Sequence, residues 1–389
     1  MFSKLYSKFV NQKSLSGVYI HIPFCKQACH YCNFHFSTSK HQRSLMVESI
    51  AKEIALTPFI SEAEKYIETI YFGGGTPSIL NEKELASILN ALHEKFSISS
   101  GAEITLEANP DDITPSALQQ WKALGINRLS TGIQSFVEAE LKWMNRAHNA
   151  NEALACIDHM KQAGFDNYSI DLIYGSPLLD DEAWANNVQM AITQNIPHIS
   201  CYALTVEPKT ALDKMIRDHK KSPVDPERQA RQFLLLINWM KEAGYEHYEI
   251  SNFARPGMRS RHNSSYWQGK SYYGFGPSAH SFTGHARKWN VANNSLYIQS
   301  LQKNVIPYEE ELLTPTQQLN EYIMISLRTS EGINLQQIQN SFNQEAADNL
   351  LKTAEPWIQG KKVELRDRSL VLTTEGKLFA DGIAADLFT

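Results

Sequence analysis

Three thiols fall within one short run, Pro23-Phe24-Cys25-Lys26-Gln27-Ala28-Cys29-His30-Tyr31-Cys32, spaced C-x3-C-x2-C directly after the apolar stretch Val18-Tyr19-Ile20-His21-Ile22. Thiolates at this spacing can close around one inorganic centre. A four-iron cluster held by three thiolates keeps one iron open for an outside ligand, by the same logic that leaves a position open on a catalytic metal. The alternative is a zinc site completed by His30 or His35. The other two thiols stand apart, Cys156 in a helical pattern and Cys201 in an apolar run, and both are expected as packed core residues. This is not a disulfide framework, and a centre that needs free thiolates points to a reducing compartment, so a cytoplasmic location is expected.

Further candidates stand where apolar runs end. Gly73-Gly74-Gly75-Thr76-Pro77 follows one run, Glu107 closes another in Leu106-Glu107-Ala108-Asn109-Pro110, and Gln134 closes a third in Gly132-Ile133-Gln134-Ser135. Asp171 sits within Ser169-Ile170-Asp171-Leu172-Ile173, where an unpaired charge is costly to bury, so a partner is expected. Arg146 suits a carboxylate. Taken singly, a triple glycine is a turn, a strand-end Glu is solvated and a loop Arg is exposed. Far downstream lies His262-Asn263-Ser264-Ser265-Tyr266-Trp267, an H-N-x-x-Y-W block. A neutral imidazole is a common axial ligand for heme iron. Tyr266, Trp267, Tyr272, Tyr273 and Phe275 suit a porphyrin face, and Arg255, Arg259 and Arg261 suit its propionates. The bland reading makes His262 a satisfied polar residue in an aromatic-rich loop.

Regular alternation of strand-like and helix-like segments must position these groups. Strands are expected at 18–22, 69–72, 103–108, 128–133, 168–174 and 198–205, with helices at 44–56, 82–96, 115–124, 151–163, 182–193 and 226–243. Pro115 after Thr114 and Pro226 after Asp225 read as helix starts. Lys122-Ala-Leu-Gly125, Lys161-Gln-Ala-Gly164 and Lys241-Glu-Ala-Gly244 repeat as helix ends, each with Gly at a left-handed cap. Six such units imply an α/β fold with an incomplete (β/α)6 TIM-type barrel over 1–244, whose functional groups gather at the strand ends. A doubly wound open sheet is the alternative. An aromatic- and glycine-rich connecting region follows over 245–310. A C-terminal, mostly helical, winged-helix-like domain occupies 311–389, with helices at 316–328, 335–342 and 345–358 and a hairpin of 363–366 and 370–373.

Charge narrows the partners. The chain of 389 residues has net charge −5. From 301 to 389 there are 8 Lys/Arg against 13 Asp/Glu, the wrong sign for phosphate, so the winged-helix-like part reads as a lid or docking module and no nucleic-acid partner is expected. No apolar run approaches a membrane span, and membrane contact is not indicated. Residues 1–17 carry Lys4, Lys8 and Lys13 without an acid and are expected as a loose start before the first strand.

With these motifs in place, the chain resembles radical S-adenosylmethionine (SAM) proteins of the oxygen-independent coproporphyrinogen III dehydrogenase family, over nearly its whole length from Val18. The block Gly274-Phe275-Gly276-Pro277-Ser278-Ala279-His280-Ser281 adds to the resemblance. It implies that Cys25, Cys29 and Cys32 bind a [4Fe-4S] cluster and that SAM takes the open iron. It also places Tyr19, Gly74, Gly75, Thr76, Glu107, Gln134, Arg146, Asp171 and Ala203 around SAM. Two features depart from the dehydrogenase pattern: the position two residues after Cys32 is Phe34 rather than Cys, and 24 residues precede Cys25 where that enzyme has a longer segment. The H-N-x-x-Y-W block is similar to that of the heme chaperone branch, which implies heme contacts for His262, Asn263, Tyr266 and Trp267.

The resulting expectation is a heme chaperone, a monomer or weak dimer, that passes heme to an acceptor protein such as a respiratory one, without enzymatic turnover. The alternative is a radical SAM enzyme. There, a reduced cluster cleaves SAM, and the deoxyadenosyl radical leads to decarboxylation of a porphyrinogen propionate. No catalytic residue is singled out.

Overall fold

The computed structural model describes residues 16–59 and 65–389. The expected loose start therefore lies outside the described residues up to position 15, while Ser16 and Gly17 already belong to the first strand.

Six parallel strands form the frame: β1 (Ser16–Ile22), β2 (Tyr66–Gly74), β3 (Ser97–Ala108), β4 (Arg128–Gln134), β5 (Tyr168–Tyr174) and β6 (His198–Ala203). They pair in chain order, each parallel to the next. A doubly wound sheet would reverse its order part-way; this one does not, so the rolled, incomplete barrel is the fold. Along each strand the side chains alternate. Val18, Ile20, Ile70, Phe72, Leu106, Leu129, Ile170, Leu172 and Ile199 belong to the main apolar core, and removing each from water contributes about 1.5–3 kcal/mol. The intervening positions are polar and form the inner wall: Tyr19, Tyr71, Thr105, Glu107, Arg128, Ser130, Asp171, His198 and Ser200.

Covering helices connect the strands: α1 (Arg43–Leu56), α2 (Glu82–Lys95), α3 (Pro115–Ala123), α4 (Glu138–Met144), α5 (Ala150–Gln162), α6 (Asp181–Thr193), α7 (Ala211–Arg217) and α8 (Pro226–Glu242). Thr114 and Asp225 cap α3 and α8 through their side chains. Gly125, Gly164 and Gly244 all have positive φ, as their repeated position after a helix requires. Cys156 and Cys201 are buried.

Beyond α8 the aromatic- and glycine-rich connecting region carries short strands. β7 (Glu246–Glu249) and β8 (Asn252–Ala254) extend the sheet beside β6. After α9 (Arg261–Trp267), β9 (Tyr272–Phe275) pairs parallel to β1, and β10 (His280–Phe282), β11 (Ala286–Asn290) and, after α10 (Asn294–Gln302), β12 (Tyr308–Leu312) continue outward to make twelve strands. These strands are three to five residues long, too short to show a period against their Gly and aromatic residues. Glu53 of α1 ties this extension down: it is buried and accepts from the Gly276 N–H (2.8 Å), Asn290 (2.6 Å) and the Tyr297 hydroxyl (2.5 Å).

The C-terminal domain is largely helical. It comprises α11 (Pro315–Leu327), β13 (Ile333–Asn334), α12 (Leu335–Ser341), α13 (Gln344–Gln359), the hairpin β14 (Val363–Arg366) and β15 (Ser369–Leu372), and α14 (Ala380–Asp386), around its own apolar core. Backbone bonds join it to β7: Ile250 N–H to Arg328 O (3.0 Å) and Ser330 N–H to Tyr248 O (3.0 Å). Among the described residues no helix is long and apolar enough to cross a membrane.

Candidate functional site

The cysteine loop leaves the end of β1 and is fixed from three sides. Gly75 N–H bonds Ile22 O (2.8 Å) and Thr76 N–H bonds Phe24 O (2.7 Å). A Cβ at Gly75 would sit 2.6 Å from Phe24 O, so glycine is required by the approach of these two loops. On another side, Asn145 donates to Ala28 O (2.8 Å) and accepts from Gln27 (2.9 Å). Lys26 pairs with Asp111 (2.6 Å) and also with Asp112.

The strand ends enclose a cavity of about 390 Å³. Cys25, Cys29 and Cys32 line it together with Gly74, Gly75, Thr76, Glu107, Gln134, Arg146, Asp171 and Ala203. Residues from all six barrel units, read separately along the chain, thus meet on one rim. Tyr19 does not line it. Its ring lies one layer deeper, stacked on Tyr71 at 6.1 Å, where β1 and β2 pair Tyr19 with Tyr71 three positions before the strand ends.

Charge on the rim is held in place. Arg146 is not a free loop residue: Nη1 lies 3.1 Å from Cys29 Sγ, and Nη2 donates to Gly132 O (2.8 Å) and Asn109 Oδ1 (2.9 Å). Burial pushes Glu107 up to about 7, against the hydrogen bond from the Tyr71 hydroxyl (2.7 Å). Burial likewise pushes Asp171 up to about 6, opposed by its hydrogen bond with Ser200 and by Arg128. That is the partner a charge at this position requires. Gln134 ends β4 with φ 68°, a left-handed backbone beyond an irregularity in the β4–β5 register.

The three thiols fit a cluster. They are free and partly exposed to the cavity. Burial pushes Cys32 up to about 11 and raises Cys25, so a bound cationic centre would displace protons to gain thiolate ligands. The zinc alternative finds one nitrogen of each candidate histidine engaged elsewhere. His30 Nδ1 faces Trp143 O (2.9 Å), and His35 Nε2 bonds Asn294 Oδ1 (2.8 Å). Among the described residues no three His, Cys, Asp or Glu side chains are placed to hold one ion.

The H-N-x-x-Y-W block is elsewhere. His262 is 0% exposed beneath β1 and β2. Its Nδ1 shares a hydrogen bond with the Thr69 hydroxyl (2.8 Å) and its Nε2 with the Tyr266 hydroxyl (2.8 Å). In this arrangement neither nitrogen is left for heme iron, so the axial-ligand expectation does not match the geometry. Tyr273 and Phe275 are buried against Phe96 and border a cavity of about 240 Å³ beside Glu53. Arg255 donates to Ala243 O (2.5 Å), Arg259 pairs with Glu246 (3.1 Å) and Glu331 (2.8 Å), and Arg261 donates to Gly101 O (2.6 Å). Asn263 donates its backbone N–H to the capping Ser260 hydroxyl (3.2 Å). Trp267 lines a separate cavity of about 430 Å³ against the C-terminal domain.

Tyr71, Asn109 and Ser200 were not singled out from the sequence. Their signal was their place: each is an inward strand or strand-end position beside a residue that was recognised.

Barrel, cysteine loop and rim together define a radical SAM protein. The Radical SAM superfamily profile matches residues 19–191, and the HemN C-terminal domain profile matches residues 313–379. "Heme chaperone HemW" of Mycobacterium tuberculosis (strain ATCC 25618 / H37Rv) is 32% identical over 376 residues, covering 95% of this chain and 94% of its own. The protein of the same name from Synechocystis sp. (strain ATCC 27184 / PCC 6803 / Kazusa) is 34% identical over 348 residues, covering 87% and 84%. Coproporphyrinogen III oxidase (HemN) from Escherichia coli shares the fold, with a TM-score of 0.83 at 23% identity over 100% of this chain and 93% of that one. The chain belongs to the HemW/HemN family of radical SAM proteins, a heme-related family whose radical SAM domain implies a [4Fe-4S] cluster and SAM.

Proposed function

We propose that this protein is a heme chaperone that carries one [4Fe-4S] cluster, binds SAM, holds heme and passes it to an acceptor heme protein. The observation that carries this reading is similarity along almost the whole chain to proteins named heme chaperone, at 32% identity over 95% of its length. The oxidase, by contrast, is similar in fold at 23% identity. Phe34 supports it. Where the dehydrogenase pattern has a further cysteine, this chain presents a phenyl ring, 67% exposed at the cavity mouth.

Cys25, Cys29 and Cys32 would hold the cluster, which when bound offers one iron to SAM and can supply an electron to its sulfonium. The chain's own residues do the rest. Gly74, Gly75 and Thr76 bring backbone to the amino-acid end of SAM. Glu107 receives a ribose hydroxyl or the ammonium. Arg146 holds positive charge beside Cys29 and faces a carboxylate, and Asp171, Gln134 and Ala203 complete the wall. Heme binding is assigned to the protein and not to the buried His262 imidazole. Within the H-N-x-x-Y-W block, Trp267 reaches the cavity of about 430 Å³ against the C-terminal domain.

The test is anaerobic cluster reconstitution with two readouts. Heme titration followed by absorbance is expected to saturate near one equivalent, and coproporphyrinogen with reductant and SAM is expected to yield no protoporphyrinogen. Absence of a heme-dependent spectral change overturns the reading, as does steady conversion of coproporphyrinogen.

A further inference from the structure

A line of contacts crosses the barrel from α9 to the cavity. The His262 ring stacks on Tyr71, centroids 5.0 Å apart at 22°. Tyr71 also stacks with Tyr19, 6.1 Å apart at 21°. The Tyr71 hydroxyl donates to Glu107 Oε1 (2.7 Å), and Glu107 lines the cavity. At the other end, His262 is fixed by Thr69 and Tyr266 through its ring and by Glu103, which accepts its backbone N–H (3.0 Å). Gly17 leaves the room it needs: a Cβ there would lie 3.3 Å from the imidazole and 2.9 Å from the Thr69 hydroxyl.

We propose that His262 is a positioning residue for the SAM site, fixing the Tyr71 ring so that its hydroxyl holds the Glu107 carboxylate at the cavity floor. This rests on the reading of Glu107 as a SAM contact. It gives the H-N-x-x-Y-W block work that its burial permits. The His262 ring stacks on Tyr71 with both its nitrogens anchored, which restricts the motion of the tyrosine ring. With the ring set, the hydroxyl meets the carboxylate without paying the ordering entropy when ligand arrives.

The experiment uses the full chain with reconstituted cluster. It measures SAM affinity through the change SAM makes in the electron paramagnetic resonance signal of the reduced cluster, with iron content, thermal midpoint and heme titration alongside. Tyr71→Phe keeps the stack and removes the bond to Glu107; it is expected to weaken SAM binding about tenfold. His262→Ala is expected to weaken it by a similar factor, and the double variant by no more than the larger single effect, since both act on one contact. If His262→Ala does not fold, His262→Gln, which keeps a polar group for Thr69 but lacks the ring, takes its place with the same expectation. Iron content and heme titration are expected to match the wild type in each. Unchanged SAM affinity in the His262 variant overturns the inference, as do additive effects, or loss of heme binding with SAM binding intact. A wild type whose cluster signal ignores SAM overturns the SAM reading itself and the inference with it.

Discussion

The two ends of the barrel use similar residue types in opposite ways. At the strand ends, thiols, carboxylates and a guanidinium line a cavity of about 390 Å³. At the base, His262, Thr69, Tyr266 and Glu103 spend their capacity on one another. A histidine in an aromatic block and a cysteine in a loop read alike as ligands in sequence. What separates them is whether the fold leaves their polar atoms facing space or facing each other.

Removing a cluster ligand should break the contrast most sharply. Cys29→Ala is expected to reduce iron from about four per chain to near none after reconstitution, with any response to SAM lost. Metal analysis and electron paramagnetic resonance check this.

Glu107→Gln comes next. Burial pushes Glu107 up from 4.5 to about 7. The carboxyl is therefore neutral below that pH and ionised above it. If it receives the SAM ammonium, wild-type affinity is expected to rise between about pH 6 and about pH 8, while the Gln variant binds about tenfold more weakly at the upper end with a flatter profile. The same shift acts on the ligand-free fold. Its folded state holds this proton more tightly than the unfolded chain does, so this contribution to stability is present below 4.5 and is lost as pH rises through about 7. Calorimetry of wild type and Gln variant across that window checks the sign.

Thr69→Val should leave the cysteine loop untouched and act on the base first. It strands a buried imidazole nitrogen and is expected to cost about 1–2 kcal/mol in urea unfolding while iron content stays at the wild-type level. The smallest effect is expected for Phe34→Ala. Its ring is 67% exposed, so stability should stay within about 0.5 kcal/mol and the cluster should form normally.

Much of the cavity was legible because strand alternation and turn chemistry are local. Glu107 and Gln134 could be placed at the ends of strands, and Asp171 within one, from their own neighbours, and the capping residues Thr114 and Asp225 from theirs. Depth was not legible. Tyr19 is three positions before its strand end and lies in the layer beneath the cavity, and that layer depends on the pairing of β1 with β2 rather than on sequence near Tyr19. The fate of His262 was hidden for a similar reason. Its partners Thr69 and Tyr71 are some 190 residues away in the chain, and only closure of the sheet brings them to it. Tyr273 and Phe275 read as ligand-facing because the pairing of β9 with β1, which turns them into the core, joins segments about 255 residues apart.

The most direct measurement is the electron paramagnetic resonance spectrum of the anaerobically reconstituted, reduced protein before and after SAM. The expected result is a [4Fe-4S] signal whose shape changes when SAM is added, marking an open iron at the mouth of the barrel. A protein that takes up zinc and no iron, or a cluster signal that SAM leaves unchanged, would contradict the account.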